Sequence, residues 1–119
     1  MRAAAELRVP VTLLSGPGAA GYAGPDWFAG VIAAAKTRHS KVSVTAILDC
    51  ADAPGRALAA LRRGAKRIRL AGNRTARARV QAIAAQLGAQ LDDAPYAVLD
   101  LSAAQEPERA ARDFLKDGR

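Results

Sequence analysis

Residues Val42 to Gly72, VSVTAILDCADAPGRALAALRRGAKRIRLAG, decide the fold. Val42, Val44, Ala46 and Leu48 alternate with Ser43, Thr45 and Ile47, the period of two that belongs to a strand, and this strand ends in Asp49-Cys50-Ala51-Asp52. Asp52 then suits an N-cap and Pro54 a first helical turn, Leu58 and Leu61 share one helical face, and Gly64 stops the helix. Ile68 and Leu70 mark a second strand, closed by Ala71-Gly72-Asn73. Strand, helix and strand in this order make one βαβ unit.

The same unit repeats on either side. Val9 to Ser15 reads as a strand closed by Gly16-Pro17-Gly18, with Pro10 confined to its start or to an edge because it has no amide to donate. A small-residue loop is expected to run to Gly24. Pro25 then opens a helix with Asp26 at its positive end, Phe28, Val31, Ile32 and Ala35 on one face and Trp27 at the margin. After the central unit, Asn73 or Thr75 caps a helix carrying Val80, Ile83, Ala84 and Leu87, and Gly88 ends it. A connection through Asp92-Asp93-Ala94-Pro95 is expected to lead to a fourth strand at Tyr96 to Leu101, and a last helix begins at Pro107. Four alternations of strand and helix imply an α/β fold of four βα units around a parallel sheet. Residues 1–119 read as a single domain, with 1–8 and 116–119 expected to fray.

The strand alternation adds a constraint. One set of positions is apolar (Val11, Leu13, Val44, Ala46, Leu48, Ile68, Leu70, Leu99), whereas the other mixes Thr12, Leu14, Thr45, Ile47, Arg67, Arg69, Tyr96, Val98 and Asp100. A sheet covered by helices on both faces should be apolar on both. Two architectures remain: a flavodoxin-like open sheet with a polar edge strand, or half of a (βα)8 barrel with its helices on one face. The mixed face needs a cover, either the Pro25 helix with Trp27 and Phe28 or a second copy of the chain in a homodimer. In the half-barrel arrangement Arg69 and Asp100 are expected to be neighbours.

The formal charge of +7 and a pI near 10.5 favour an anionic partner. A single cysteine, Cys50, excludes an internal disulfide. Met1 to Arg8 lacks the sustained apolar core of a secretory signal, and no window approaches the roughly 18 apolar residues of a membrane span. The expectation is a soluble, cytoplasmic protein with no membrane partner.

Ligands of open α/β sheets and barrels sit at the carboxyl ends of the strands. Those ends carry Ser15, Gly16, Gly18, Gly21, Asp49, Asp52, Asn73, Arg74 and Ser102, the residues expected to line a site for a small anionic or phosphorylated ligand. Gly16-Pro17-Gly18-Ala19-Ala20-Gly21 matches the glycine spacing of a phosphate loop, whose amides can point at an anion. Its helix is expected to wait until Pro25, Pro17 removes one donor, and Asp49 lies 28 residues beyond Gly21 instead of about 20, so a dinucleotide site is not expected. Asp49, Arg69 and Asp100 are the candidate catalytic groups of an alternative reading, a lyase or aldolase-like enzyme acting on a phosphorylated substrate. The only histidine, His39, precedes the strand that Cys50 follows, which leaves Cys50 without a base. No metal ligand set and no cofactor are assigned.

Leu48-Asp49-Cys50-Ala51-Asp52, with Gly64-Ala65 and Ala71-Gly72-Asn73, is similar to a βαβ step of class II aldolase-type barrels. The likeness spans about 30 residues of the 119 and is generic to βα barrels. Those enzymes carry a metal-binding histidine just after the aspartate, where Cys50 stands here, so the resemblance implies a fold and no activity.

A third reading rests on Arg62, Arg63, Lys66, Arg67, Arg69, Arg74, Arg77 and Arg79, a cluster able to track a nucleic-acid backbone. Stacking aromatics are absent from the stretch, and no nucleic-acid-binding motif accompanies it.

Overall fold

The computed structural model describes residues 1–16, 18–93 and 105–117. The elements in order are α1 (Arg2–Leu7), β1 (Val11–Leu14), α2 (Ala19–Tyr22), α3 (Pro25–Arg38), β2 (Val44–Asp49), α4 (Pro54–Arg62), β3 (Arg67–Arg69), α5 (Arg74–Gln86), β4 (Gln90–Leu91) and α6 (Pro107–Asp117). Local chemistry sets most helix limits. Pro25 and Pro54 occupy the first turns of α3 and α4, where a missing amide is harmless. The Asn73 side chain caps α5 by accepting from the amides of Thr75 at 2.7 Å and Ala76 at 3.2 Å. Gly64 and Gly88, just beyond the ends of α4 and α5, take φ of +96° and +71°, which a side chain would resist.

Every strand pair is parallel, and the sheet order is β1-β2-β3-β4. A flavodoxin-like sheet reverses its strand order at a switch point; this one does not, and right-handed crossovers between sequential neighbours put all connecting helices on one face. The packing agrees. Leu48, Cys50, Ile68 and Leu70 form one cluster with Ala57, Ala60 and Leu61 of α4 and Val80 and Ala84 of α5, and Phe28 of α3 packs against it. The arrangement is that of half a βα barrel.

The register places Leu48, Ile68 and Leu91 in one row toward the helices. Leu14, Ile47, Arg67 and Gln90 form a row on the opposite face, with Asp49 beside Arg69 one row further on. Ile47 is fully buried there.

Several expectations are corrected. The fourth strand of the sheet is Gln90–Leu91, between the helix stop at Gly88 and the expected connection at Asp92 to Pro95, where no strand was expected; Leu91 fills the inward row beside Ile68 while Gln90 faces outward beside Arg67. The strand expected at Tyr96 to Leu101, with Asp100 and Ser102, lies outside the described residues. A short helix, α2, stands in the supposed loop after Gly18, because Ala19 and Ala20 are small enough to be buried against the core. Asp52 is not an N-cap: Ala53 holds that position, with no side-chain bond. The Pro25 helix does not cover the mixed face, since α3 lies on β2 with Phe28 turned to the apolar cluster. Residues 2–7, expected to fray, form α1, whose Ala3 and Ala4 are buried. Helix α1 packs on α6, with ion pairs Arg2–Glu108 at 2.9 Å and Glu6–Arg112.

Candidate functional site

The carboxyl ends of β1, β2 and β3 are lashed together, and Asp49 is the knot. Its Oδ1 accepts from the amides of Gly18 at 3.0 Å and Ala51 at 2.8 Å, while its own amide donates to the Ser15 hydroxyl at 2.8 Å. Ala51, held in the left-handed region at φ +51°, passes its carbonyl to the Ala71 amide at 2.7 Å. Cys50 donates its amide to the Arg69 carbonyl at 2.8 Å. The carboxylate therefore ties the loops after β1 and β2, and backbone bonds from Cys50 and Ala51 carry the connection on to β3.

This geometry answers the phosphate-loop expectation in part. Gly18 has the positive φ, +69°, that the loop needs, and α2 does start inside the glycine run. Yet the Gly18 amide is already taken by a carboxylate, Ala19 and Gly21 donate to the carbonyls of Gly16 and Gly18, and an incoming anion would meet Asp49. Gly21 lies in α2 beneath the guanidinium of Arg56. Asp52 is exposed beside Gly72, and Asn73 is occupied as a cap with Arg74 exposed next to it. Ser15, Gly16, Gly18, Asp49, Asp52, Asn73 and Arg74 thus share one end of the sheet, as a hydrogen-bonded corner of mixed charge.

Cys50 is buried against the core, and burial together with the nearby charge of Asp49 pushes its thiol up to about 11. A thiol so held is a poor nucleophile. His39 lies before β2, at the end opposite Cys50. Among the described residues no three His, Cys, Asp or Glu side chains converge as a metal set would.

On the mixed face Arg67 pairs with Asp92 at 2.9 Å, and Asp92 is buried. Gln90 accepts from the same guanidinium when its amide oxygen faces it. Arg69 directs its Nε toward the Asp92 carbonyl at 3.4 Å. Asp92 is the partner the sequence reading missed; a strand of two residues shows no alternation by which to recognise its neighbours. Arg77 binds the Leu70 carbonyl at 2.9 Å and pairs with Asp93. The arginine cluster is thereby divided: Arg67, Arg69 and Arg77 brace the sheet, Arg62 and Arg63 end α4, and Arg74 begins α5 at the other end of the strands.

A second concavity lies between α3, β2 and the turn from α4 to β3. Helix α4 packs on α5 and α2, leaving α3 against β2 with a groove of about 400 Å³ beside it. Its floor is Phe28, Ile32, Val44, Ala46, Leu48 and Ala65. Its charged lining residues are Lys36, Arg63, Lys66 and Arg67, all cationic. Lys36 and Lys66 make no ion pair among the described residues, and Arg63 faces Asp26 at 3.6 Å with both side chains mostly exposed. The groove exists because Ala29 and Ala33 on one wall and Gly64 and Ala65 on the other are too small to fill it. That run of small residues was the available sequence signal.

No protein-family model, curated protein or solved structure matches the chain.

Proposed function

We propose that the protein is a binding module for a small amphipathic anion, a hydrocarbon or aromatic body ending in a carboxylate or phosphate, held in the groove beside α3. The observation that carries this reading is the pairing of an apolar floor with the ammonium groups of Lys36 and Lys66 at its rim, neither in an ion pair among the described residues, whereas Arg67 spends its charge on Asp92 and Arg63 faces Asp26. Its volume of about 400 Å³ falls within the range of small-ligand sites. The body lies over Phe28, Ile32 and Ala46, removing apolar surface from water, and the anionic head meets Lys36 and Lys66, which make no ion pair among the described residues. The groove suits an anion better than the strand ends do, because there Asp49 already occupies the glycine-loop amide.

Titration of the isotope-labelled protein with decanoate, followed by amide chemical shifts, tests the reading. Shifts centred on Phe28, Ile32, Ala46 and Ala65 are expected, with at least about tenfold weaker binding in the Lys36→Glu, Lys66→Glu double variant, the loss of about 1.4 kcal/mol. Equal binding of decanol would remove the anion from the proposal. Shifts confined to Ser15 to Gly18 and Asn73 to Arg74, with decanoate or inorganic phosphate, would move the site back to the strand ends.

A further inference from the structure

Helix α3 contains nine consecutive residues, Trp27 to Ala35, without a polar side chain. A helix apolar all round is normally covered all round. Here Ile32 is buried and Phe28 and Ala35 are partly covered, whereas Trp27 is 55% and Val31 46% exposed. Trp27, Val31, Ala34 and Arg38 follow steps of four, three and four, which lines them up as one stripe. None of the four lines the groove, so the stripe is a separate flank of the helix.

We propose that this flank is covered by α3 of a second copy, packed antiparallel about a two-fold axis between Val31 and Ala34. The stripe is self-complementary in that direction. Val31 meets the small Ala34 of the partner subunit, and Trp27 meets Arg38 of the partner subunit, a cation that makes no ion pair among the described residues. A guanidinium over an indole face is attractive, and it is also brought near Asp26, adjacent to that tryptophan. Asp26 is free to take part because its contact with Arg63 is long and exposed. Opposed helix dipoles add to the match, each C-terminal end lying beside an N-terminal one. The remaining stripe carries no charge, as the core of an interface should. A helix of 14 residues is about 21 Å long, so the contact is a small one and the association is expected to be weak.

Trp27 is the only tryptophan, which makes its emission a direct reporter. Raising the concentration of the full chain from the low micromolar to the sub-millimolar range should shift that emission to the blue. Sedimentation equilibrium over the same range should show the mass rising from 12.4 kDa toward twice that value. Val31→Arg and, separately, Arg38→Glu should each weaken association at least tenfold; both sites are exposed, and an unchanged circular dichroism spectrum certifies the fold. Ile83→Arg, at an exposed apolar position on α5, should associate as the parent does. A monomeric mass and constant emission throughout would overturn the proposal, as would association that survives Val31→Arg or is lost with Ile83→Arg.

Discussion

Replacing Asp49 with alanine removes one oxygen that holds two loops. The Gly18 and Ala51 amides, at 3.0 and 2.8 Å, each lose a bond to an ionised acceptor. Such bonds contribute about 1.5 to 3 kcal/mol apiece, and the partial exposure of both amides, which water can then reach, favours the lower figure. The pair is therefore worth about 3 to 4 kcal/mol, out of the 5 to 15 typical of a domain. Ala51 enters the same account, since its left-handed conformation is unfavourable by about 1 to 2 kcal/mol and is held by the Asp49 bond on one side and the Ala71 bond on the other. The Ser15 bond survives the substitution because it is made by the backbone amide. Asp49→Asn retains an acceptor without the charge and should lose about half as much. Urea unfolding with an unchanged slope gives both numbers, and hydrogen exchange should quicken at Gly18 and Ala51. A loss under about 0.5 kcal/mol in Asp49→Ala, or equal losses in the two variants, would refute the structural role assigned to this carboxylate. A gain in stability would instead mark Asp49 as a group retained for a ligand at the strand ends.

Leu61→Ala should destabilise by about 2 to 5 kcal/mol, because Leu61 is buried between α4 and the sheet and its neighbours can close only part of the cavity; equilibrium unfolding measures it, and a near-neutral result would reject the packing of α4. Cys50 makes stability depend on alkaline pH. Its thiol keeps its proton to about pH 11 in the fold but loses it near 9.0 when unfolded, so its contribution is intact below pH 9.0 and lost as pH rises toward 11. The difference in unfolding free energy between the parent and Cys50→Ala should change across that window with a slope of at most about 1.4 kcal/mol per pH unit, and a constant difference would show that the thiol does not titrate as described.

The sequence by itself determined what depends on a few neighbouring residues. Alternation in Val42 to Leu48 named a strand, Pro25, Pro54 and Asn73 named helix starts, and Gly64 and Gly88 named the turns that end helices, since each acts through its own backbone geometry. The apolar and mixed strand faces were legible for the same reason. Only the tertiary structure decided the strand order, because nothing in a strand's own residues states which neighbour it will pair with, and that order alone separates the half-barrel from the flavodoxin-like sheet. It also decided the ends of the strands. Asp49 reads as a ligand group in the chain, but the fold spends its oxygen on Gly18 and Ala51, and Asp92 reads as a turn residue until Gln90–Leu91 joins β3 and sets it beside Arg67. The groove is the clearest case: each alanine along it is unremarkable alone, and the space appears only because small residues from α3 and from the turn after α4 face one another across β2, a relation made by packing at long separation along the chain.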